Sequence, residues 1–300
     1  MEFRLLSLPF VAIKQVLTLM SLQEQFLFSI TSETSKYLVK SANKGTRLSV
    51  VLIDGMLHLS NQSDKIYIES QEHGDPFEVS KYGGRDIISW KKPLHSIMEY
   101  FVQVFKSDFS IFLPSEFTPQ KNLEFLKSLR VPIHSADVTT NRLQETLDAL
   151  KGASEVKLYI RMDLADSSDL KYPFHFDSIY VCLSMVSPAI RRSLLFSLLD
   201  CREVSLLDTK CSTQDLVEFL GKWINGSRIE KLRISFNVKE FNDTVFEQLG
   251  QVVNVHKATV EGKQISPPCF FIRQKGTETR AIVYTKNFHV IMTTDFKLII

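Results

Sequence analysis

One short apolar pattern recurs four times in the second half of the chain. In each copy, apolar or small residues stand at relative positions 0, 3 and 5 of a predicted strand. The last of these positions is held by Leu158, Val181, Leu206 and Ile234, which lie 23, 25 and 28 residues apart. A strand–helix unit of that length cannot bury its own apolar face, so neighbouring units must stack on one another. The pattern therefore predicts an α/β region in which strands alternate with helices.

Helical stretches separate most of these strands. They are predicted at about residues 119–128, 141–150, 188–200, 212–224 and 239–250. The strand motif resembles the leucine-rich-repeat pattern L-x-x-L-x-L, and weaker copies at Ile111 and Ile133 extend it towards the N-terminus. The likeness implies parallel strands that line one side of the array.

A partner of such an array would bind to the exposed side chains of the parallel strands, or to the loops that follow them. Side chains alternate between the two faces of a strand, so the residues beside the apolar ones face outwards. The candidates for target binding are Lys157, Tyr159, Tyr180, Ser205, Arg233 and Ser235.

The first forty residues predict three short helices. Pro9 suits the start of the first helix, and Ser21 and Glu24 form a capping box that begins the second. Thr31 or Ser32 can cap the third. A unit below about 40 residues rarely folds alone without a staple, and this segment has no cysteine and no metal-ligand cluster. We therefore expect it to pack on the rest of the chain, on another protein, or on both.

Residues 3–43 resemble an F-box. The likeness rests on Leu8-Pro9, on the apolar residues that follow at helical spacing, and on Ser29-Ile30-Thr31-Ser32 before Tyr37-Leu38-Val39-Lys40. It implies that the N-terminal helices bind the Skp-type adaptor of a cullin-RING ubiquitin ligase. The expected adaptor-binding residues are Leu8, Pro9, Ile13, Leu17, Leu22 and Phe26, some of which also pack inside the F-box.

A second likeness covers the C-terminal part of the chain. The block Phe219–Gly226, followed by Ile229–Ile234, is similar to the type-2 F-box-associated domain of a large nematode family of F-box proteins. Cys269–Arg273 and Arg280–Val283 are similar to the closing strands of that domain. The likeness implies an F-box at residues 1–45 and an associated repeat-like domain at 46–300.

The remaining segments complete the predicted organisation. Residues 46–93 are predicted as a β meander and loop, with a hairpin at Asp54-Gly55 and mostly loop over 71–93. A helix is predicted at about 94–106, at the start of the strand–helix repeats, which are expected over residues 94–250. Residues 265–300 are predicted as antiparallel closing strands, so β hairpins stand at both ends of the array.

Composition sets limits on the partners. Lys and Arg number 36 against 34 Asp and Glu, and a net charge of +2 gives no support for a nucleic-acid or anionic-membrane partner. No apolar run approaches the roughly 18 residues of a membrane span. The four cysteines are far apart and lack a C-x-x-C motif, which favours reduced thiols in the cytoplasm or nucleus.

Motifs of catalysis and cofactor binding are missing from the sequence. It has no phosphate-binding G-x-x-x-x-G-K-[ST], no G-x-G-x-x-G, no G-x-S-x-G, and no His or Cys at metal-ligand spacing. We therefore expect no cofactor, no metal and no catalytic residues. Trp223 could face a partner, but its place before Asn225-Gly226 favours packing at a helix C-terminus.

Two hypotheses follow. The first is a substrate-recognition subunit of a Skp–cullin–F-box ubiquitin ligase, which binds the adaptor through its N-terminal helices and an unknown target protein through its C-terminal domain. The alternative is a leucine-rich-repeat-like interaction scaffold without a ubiquitin role.

Overall fold

The computed structural model describes residues 8–43, 48–53, 56–61, 64–71, 77–82, 85–105, 109–113, 119–160, 170, 173–183, 188–236, 249, 253–255, 258–265 and 268–298. The chain divides into two compact units, Met1–Val138 and Thr139–Ile300. Among the described helices, none combines the length and the hydropathy that crossing a membrane requires.

Helices and strands alternate irregularly in the first unit. Its helices are α1 (Phe10–Leu19), α2 (Leu22–Ser29), α3 (Glu33–Ala42), α4 (Leu94–Phe105) and α5 (Pro119–Ser128). Its strands are β1 (Leu48–Ile53), β2 (Met56–Ser60), β3 (Lys65–Ser70), β4 (Phe77–Tyr82), β5 (Arg85–Trp90) and β6 (Phe109–Leu113), and β7 (Ile133–Thr140) spans the boundary. Three N-terminal helices followed by a mixed α/β region are the fold class that the sequence predicts.

Side-chain caps fix the starts of two N-terminal helices. The Ser21 hydroxyl accepts a hydrogen bond from the Glu24 amide at 3.2 Å, and the Glu24 carboxylate accepts one from the Ser21 amide at 2.7 Å. This is the predicted capping box, and it begins α2. The hydroxyl of Ser32 accepts from the Ser35 amide at 3.1 Å and begins α3.

The strands of the first unit follow the order β4–β5–β3–β2–β1–β6–β7. The predicted hairpin between β1 and β2 is confirmed, because these strands are antiparallel with Ile53 opposite Met56. The turn residues Asp54 and Gly55 themselves lie outside the described residues. Strand β6 runs parallel to β1 after the α4 connection.

The prediction that residues 71–93 are mostly loop is wrong. This stretch forms β4 and β5, which pair with each other, and β5 also pairs in parallel with β3. Ile88 is fully buried, and Trp90 is nearly so. The glycines and prolines around these strands favour turns locally, so they led to a prediction of loop. The strands form nevertheless, because burial and pairing with a distant strand stabilise them.

Among its described residues, the second unit holds three helices and most of the strands. The helices are α6 (Leu143–Ala149), α7 (Pro188–Ser197) and α8 (Thr213–Ile224). The strands are β8 (Glu155–Ile160), β9 (Ser178–Leu183), β10 (Glu203–Cys211), β11 (Lys231–Phe236), β12 (Val253–Val255), β13 (Ala258–Val260), β14 (Lys263–Ile265), β15 (Cys269–Arg273), β16 (Arg280–Lys286), β17 (His289–Thr293) and β18 (Lys297–Leu298). The predicted helix at 239–250 falls almost wholly outside the described residues.

Strands β8 to β11 are parallel neighbours, as the recurring pattern predicts. Val181 lies opposite both Leu158 and Leu206, and Leu206 lies opposite Ile234. The four predicted strand centres therefore form one row across the sheet. Each of these side chains is buried, and buried and more exposed residues alternate along the strands.

The upstream extension of the pattern is only partly right. Strands β6 and β7 exist and are parallel, but the residue opposite Ile111 is Ala136. Ile133 instead lies opposite Phe109, because the register shifts between Phe109 and Ser110. The spacing of apolar residues predicted both strands correctly, but it carries no information about a bulge that shifts their register.

Antiparallel strands close the second unit. After β11 the order is β17–β16–β15–β12, and the predicted closing strands at residues 269–293 are confirmed. A small sheet of order β14–β13–β18 is additional. Its Ala258, Val260 and Ile265 form an apolar cluster with Cys269, Ile282 and Tyr284. The apolar pattern of the sequence did not predict this cluster.

Candidate partner-binding surfaces

The three N-terminal helices share a core with the rest of the first unit. The Phe26 ring on α2 is fully buried and stacks on Phe101 of α4, with ring centroids 4.9 Å apart. Its edge meets Trp90 at 5.4 Å and Tyr100 at 6.0 Å. The Ser29 and Tyr100 hydroxyls are hydrogen bonded at 2.9 Å. Of the alternatives that the sequence leaves open, packing of this short segment on the rest of its own chain is therefore observed.

A buried amide joins the ends of two of these helices. Gln25 on α2 donates hydrogen bonds to the carbonyls of Leu17 and Met20 at the end of α1, both at 2.9 Å. Its side-chain oxygen accepts from Asn43, which follows α3, at 2.5 Å. Orphan carbonyls at a helix end need such donors. The only sign of this role in the sequence is a polar residue next to Phe26 on the inner face of α2, so it was not predicted.

The six expected adaptor-binding residues do not share one environment. Four are buried inside the first unit, namely Ile13, Leu17, Leu22 and Phe26. Leu8 is half-buried and Pro9 is exposed. Only these last two present surface that another protein could contact without a rearrangement of the helices.

Three apolar side chains of α1 are exposed to solvent, and none of them was among the expected adaptor-binding residues. Phe10 is 49% exposed, Val11 is 68% exposed and Leu19 is 87% exposed. Together with Leu8 and Pro9 they define what we call the α1 surface. Several exposed apolar side chains on one short helix make this segment a candidate contact site for another protein. The signal in the sequence is that apolar residues occupy positions outside the i, i+3, i+4 face.

The six candidate target-binding residues all lie on one face of the parallel strands in the second unit. Lys157 on β8 lies opposite Tyr180 on β9, which lies opposite Ser205 on β10, and Ser205 lies opposite Arg233 on β11. Tyr159 and Ser235 each stand two residues further along their strands on the same face. The other face carries the buried side chains. We call this set of outward residues the strand surface.

Aromatic and charged groups meet on the strand surface. The Tyr159 and Tyr180 rings lie 6.0 Å apart. Burial raises the pKa of the Tyr180 hydroxyl, neighbouring Cys182 and Tyr159 add to the rise, and the positive charge of Arg233 opposes it. Arg233 stands in the same row as Tyr180, two strands away.

A bulged corner ends the strand surface at β10. The register between β10 and β11 shifts after Leu206, and Asp208 adopts a φ of 55°. The Asp208 amide donates to the Ser235 hydroxyl at 3.0 Å, and its carboxylate accepts from the Cys182 thiol at 3.4 Å. An aspartate tolerates the left-handed conformation better than most residues. The bulge thus turns a carboxylate towards the outer face.

None of the four thiols forms a disulfide bond, and three of them are held in unreactive states. Cys201, Cys211 and Cys269 are buried, and Cys182 is half-buried. Burial raises the pKa of Cys201 to about 11, and it also raises the pKa of Cys182 and Cys269. A thiol in this state is a poor nucleophile at neutral pH. Within the described part of the chain, no group of three or more His, Cys, Asp or Glu could hold a metal ion.

The packing interpretation of Trp223 is confirmed. Its side chain is fully buried, and its indole nitrogen donates to the Ile229 carbonyl at 2.9 Å. Helix α8 ends at Ile224, with Asn225 as its cap, and Gly226 follows with a φ of 128°. Trp223 is therefore a core residue and is not available to a partner.

Comparison with known families identifies the N-terminal helices. The model of the F-box domain matches residues 5–47, which contain α1, α2 and α3. No curated protein and no solved structure matches the chain. An F-box domain implies a role in substrate recognition by Skp–cullin–F-box ubiquitin ligases, and proteins with this domain are generally adaptor subunits rather than enzymes.

Proposed function

We propose that this chain is a substrate-recognition subunit of a Skp–cullin–F-box ubiquitin ligase. The observation that carries the proposal is the bare α1 surface within a matched F-box domain. A subunit of this kind brings its target close to the catalytic subunits and needs no catalytic residue of its own. Its place of action would be the cytoplasm or the nucleus.

The α1 surface would bind the Skp-type adaptor. Phe10 and Val11 offer apolar area that the chain does not cover, and burial of such area is the main driving force of association. The buried residues Ile13, Leu17 and Phe26 would support this contact from inside, because they hold α1 on the other helices. Leu8 and Pro9 would extend the contact at the N-terminal end of α1.

The strand surface would bind the target protein. It is formed by regular strands that are fixed by the core on their other face, and a rigid scaffold suits specific recognition. The resemblance of residues 219–234 and 269–283 to the type-2 F-box-associated domain of nematode proteins, and of the strands to leucine-rich repeats, supports the same assignment.

Co-purification with a Skp-type adaptor tests the adaptor contact. The full chain and the adaptor are co-expressed, and the adaptor retained per mole of chain is measured for wild type, Val11→Asp and Phe10→Ala/Val11→Ala. We expect retention to fall by about tenfold or more, since a contact residue at the centre of an interface contributes at least 1–2 kcal/mol.

Val253→Asp is the matched control. Val253 is 60% exposed on β12 in the second unit, so the control makes the same chemical change on a similarly exposed valine outside the F-box. Equal adaptor retention by Val11→Asp and Val253→Asp would contradict the proposal. Circular dichroism spectra of all variants establish that they are folded.

The alternative is a scaffold without a ubiquitin role. Variants of the α1 surface distinguish this alternative from the ligase subunit. Removal of residues 1–45 would expose the buried partners of Phe26 and would damage the first unit. The surface variants avoid this problem. A pure scaffold would show no specific adaptor retention in the wild type, and hence no loss in Val11→Asp.

A further inference from the structure

The middle row of the strand surface combines basic and hydroxyl side chains. It consists of Lys157, Tyr180, Ser205 and Arg233, which are direct neighbours on four adjacent strands. The row therefore offers two cationic groups at its ends and two hydroxyl groups between them. None of its four members is acidic.

Both cations of this row are exposed and have no ion-pair partner among the described residues. By contrast, two cations near the N-terminal ends of the same strands are paired with carboxylates. Lys231 pairs with Glu203 at 3.2 Å, and Arg202 pairs with Glu230 at 2.9 Å. The positive charge of the strand surface that remains available to a partner is thus concentrated in the middle row.

Acidic side chains border the row but lie outside it. Glu155 stands two residues before Lys157 on β8, and Asp208 stands beyond Ser205 at the bulge of β10. The Asp208 carboxylate accepts the Cys182 thiol hydrogen. A ligand that is displaced towards either strand end would therefore meet negative charge, so the two acids restrict an anionic ligand to the middle row.

The spacing of the cations sets the length of a matching ligand. Lys157 and Arg233 are separated by three strand spacings, or about 14 Å between backbones. Four residues of extended chain cover about the same distance at 3.4 Å per residue. Two carboxylates on one side of an extended segment, four residues apart, would meet the two cations together, while Tyr180 and Ser205 lie under the residues between them.

The geometry points to a specific class of target: a protein segment that binds in an extended conformation along the middle row, across the strands, with acidic residues at positions i and i+4. This inference rests on the proposed function, because it names the kind of target that the strand surface takes. Lys157 and Arg233 bind the two carboxylates, and the Tyr180 and Ser205 hydroxyls bind the backbone between them.

Synthetic peptides of twelve residues test this inference. One fluorescein-labelled peptide carries Glu at positions i and i+4 in a neutral Ser/Thr/Val background, a second carries Gln at both positions, and a third carries the two Glu side by side. Binding to the full chain is measured by fluorescence anisotropy at low and at moderate salt. We expect the i, i+4 peptide to bind at least about tenfold more tightly than the Gln peptide, and more tightly than the adjacent-Glu peptide.

Charge reversal locates the binding site. Lys157→Glu and Arg233→Glu should each weaken binding of the i, i+4 peptide by about tenfold, whereas Lys151→Glu should not, since Lys151 is an exposed lysine in the turn after α6. Equal binding of the Glu and Gln peptides, or equal effects of the Lys151 and Arg233 variants, would overturn the inference.

The adaptor assay keeps the two proposals apart. Lys157→Glu and Arg233→Glu leave the α1 surface unchanged, so both variants should retain the adaptor as wild type does. Peptide binding without adaptor retention in the wild type would refute the ligase role, while adaptor retention without selective peptide binding would refute only the acidic-segment inference.

Discussion

The Phe26 ring lies nearly parallel to the Phe101 ring, at an interplanar angle of 15° and a centroid distance of 4.9 Å. Phe101 in turn stacks on Phe105 at 5.3 Å, so three aromatic rings continue from the F-box helix α2 along α4. This contact explains how three short helices are stable without a disulfide or a metal. The apolar side chains of these helices are buried in the same hydrophobic core as those of α4.

We predict that Phe26→Ala destabilises the first unit by about 3–5 kcal/mol, because it leaves a cavity among fully buried rings. Urea unfolding followed by tryptophan fluorescence measures this. Trp90, which contacts Phe26, lies in the first unit, and Trp223 lies in the second. In a Trp223→Phe background, the fluorescence reports the first unit alone.

Val11→Ala serves as the comparison for that measurement. The Val11 side chain is largely exposed, and surface changes of this kind usually alter stability by less than about 0.5 kcal/mol. If Phe26→Ala were as mild as Val11→Ala, the F-box helices would not depend on the aromatic core of their unit.

The repeated strands were predictable because their apolar residues are all buried on the same face of the sheet. Leu158, Val181, Leu206 and Ile234 are buried in one row, so their spacing in the sequence reports directly on their stacking. The same argument located the strand surface, because outward residues must alternate with the buried ones. Local caps such as Ser21 with Glu24 were predictable for a similar reason, since both partners lie within one turn.

Features that depend on distant partners were not predictable. Strand β5 is stabilised by pairing with β3, and the small sheet around Ala258 is stabilised by its cluster with Ile282 and Tyr284. Gln25 looked like an ordinary helix residue because the carbonyls it satisfies lie at the C-terminal end of another helix, α1. The residues expected to contact the adaptor include Ile13, which is buried, but not Val11, which is largely exposed.

The capping box predicts a pH dependence of stability. Hydrogen bonds from the Ser21 amide and hydroxyl lower the pKa of the Glu24 carboxyl in the folded chain. A carboxyl with a depressed pKa contributes stability above its unfolded pKa and loses it as the pH falls through the folded value. We therefore expect wild type to be more stable than Glu24→Gln at pH 7, and the difference to shrink under acidic conditions.

Thermal unfolding of both proteins by circular dichroism, at pH 7 and at about pH 3, gives this comparison. Glutamine can still accept the same hydrogen bonds, so the change removes the charge and keeps the geometry of the box. A difference of equal size at both pH values would show that the carboxylate charge is irrelevant to the cap.

The thiols predict a simple labelling pattern. Cys182 is the half-buried thiol on the strand surface, while Cys201 and Cys269 are buried with raised pKa values. We expect iodoacetamide to modify Cys182 first in the native protein, and slowly, because burial and the Asp208 carboxylate raise the pKa of its thiol. Peptide mass mapping over a time course identifies the labelled site.

Asp208→Asn sharpens the labelling test. Asparagine tolerates the φ of 55° and removes the negative charge beside the thiol, so the pKa of Cys182 should fall and labelling should accelerate. Faster modification of Cys201 than of Cys182, or no acceleration in the Asp208 variant, would contradict the prediction that Asp208 raises the pKa of an accessible Cys182 thiol.

The hairpin tip between β16 and β17 holds a strained aromatic residue. Asn287 and Phe288 have φ values of 48° and 62°, as both central residues of a type I′ turn require. Asparagine is common at the first position and glycine at the second. Phe288 occupies the glycine position, yet it is 80% exposed and so gains little from burial.

We predict that Phe288→Gly raises the free energy of unfolding by about 0.5–1 kcal/mol. Relief of the left-handed strain is worth about 1–2 kcal/mol, and the greater freedom of glycine in the unfolded chain offsets part of it. Asn287→Gly should gain less, because asparagine accepts this conformation more readily. Urea unfolding followed by Trp223 fluorescence measures both in a Trp90→Phe background. A loss of stability in Phe288→Gly would mean that the exposed ring makes contacts that outweigh its backbone strain.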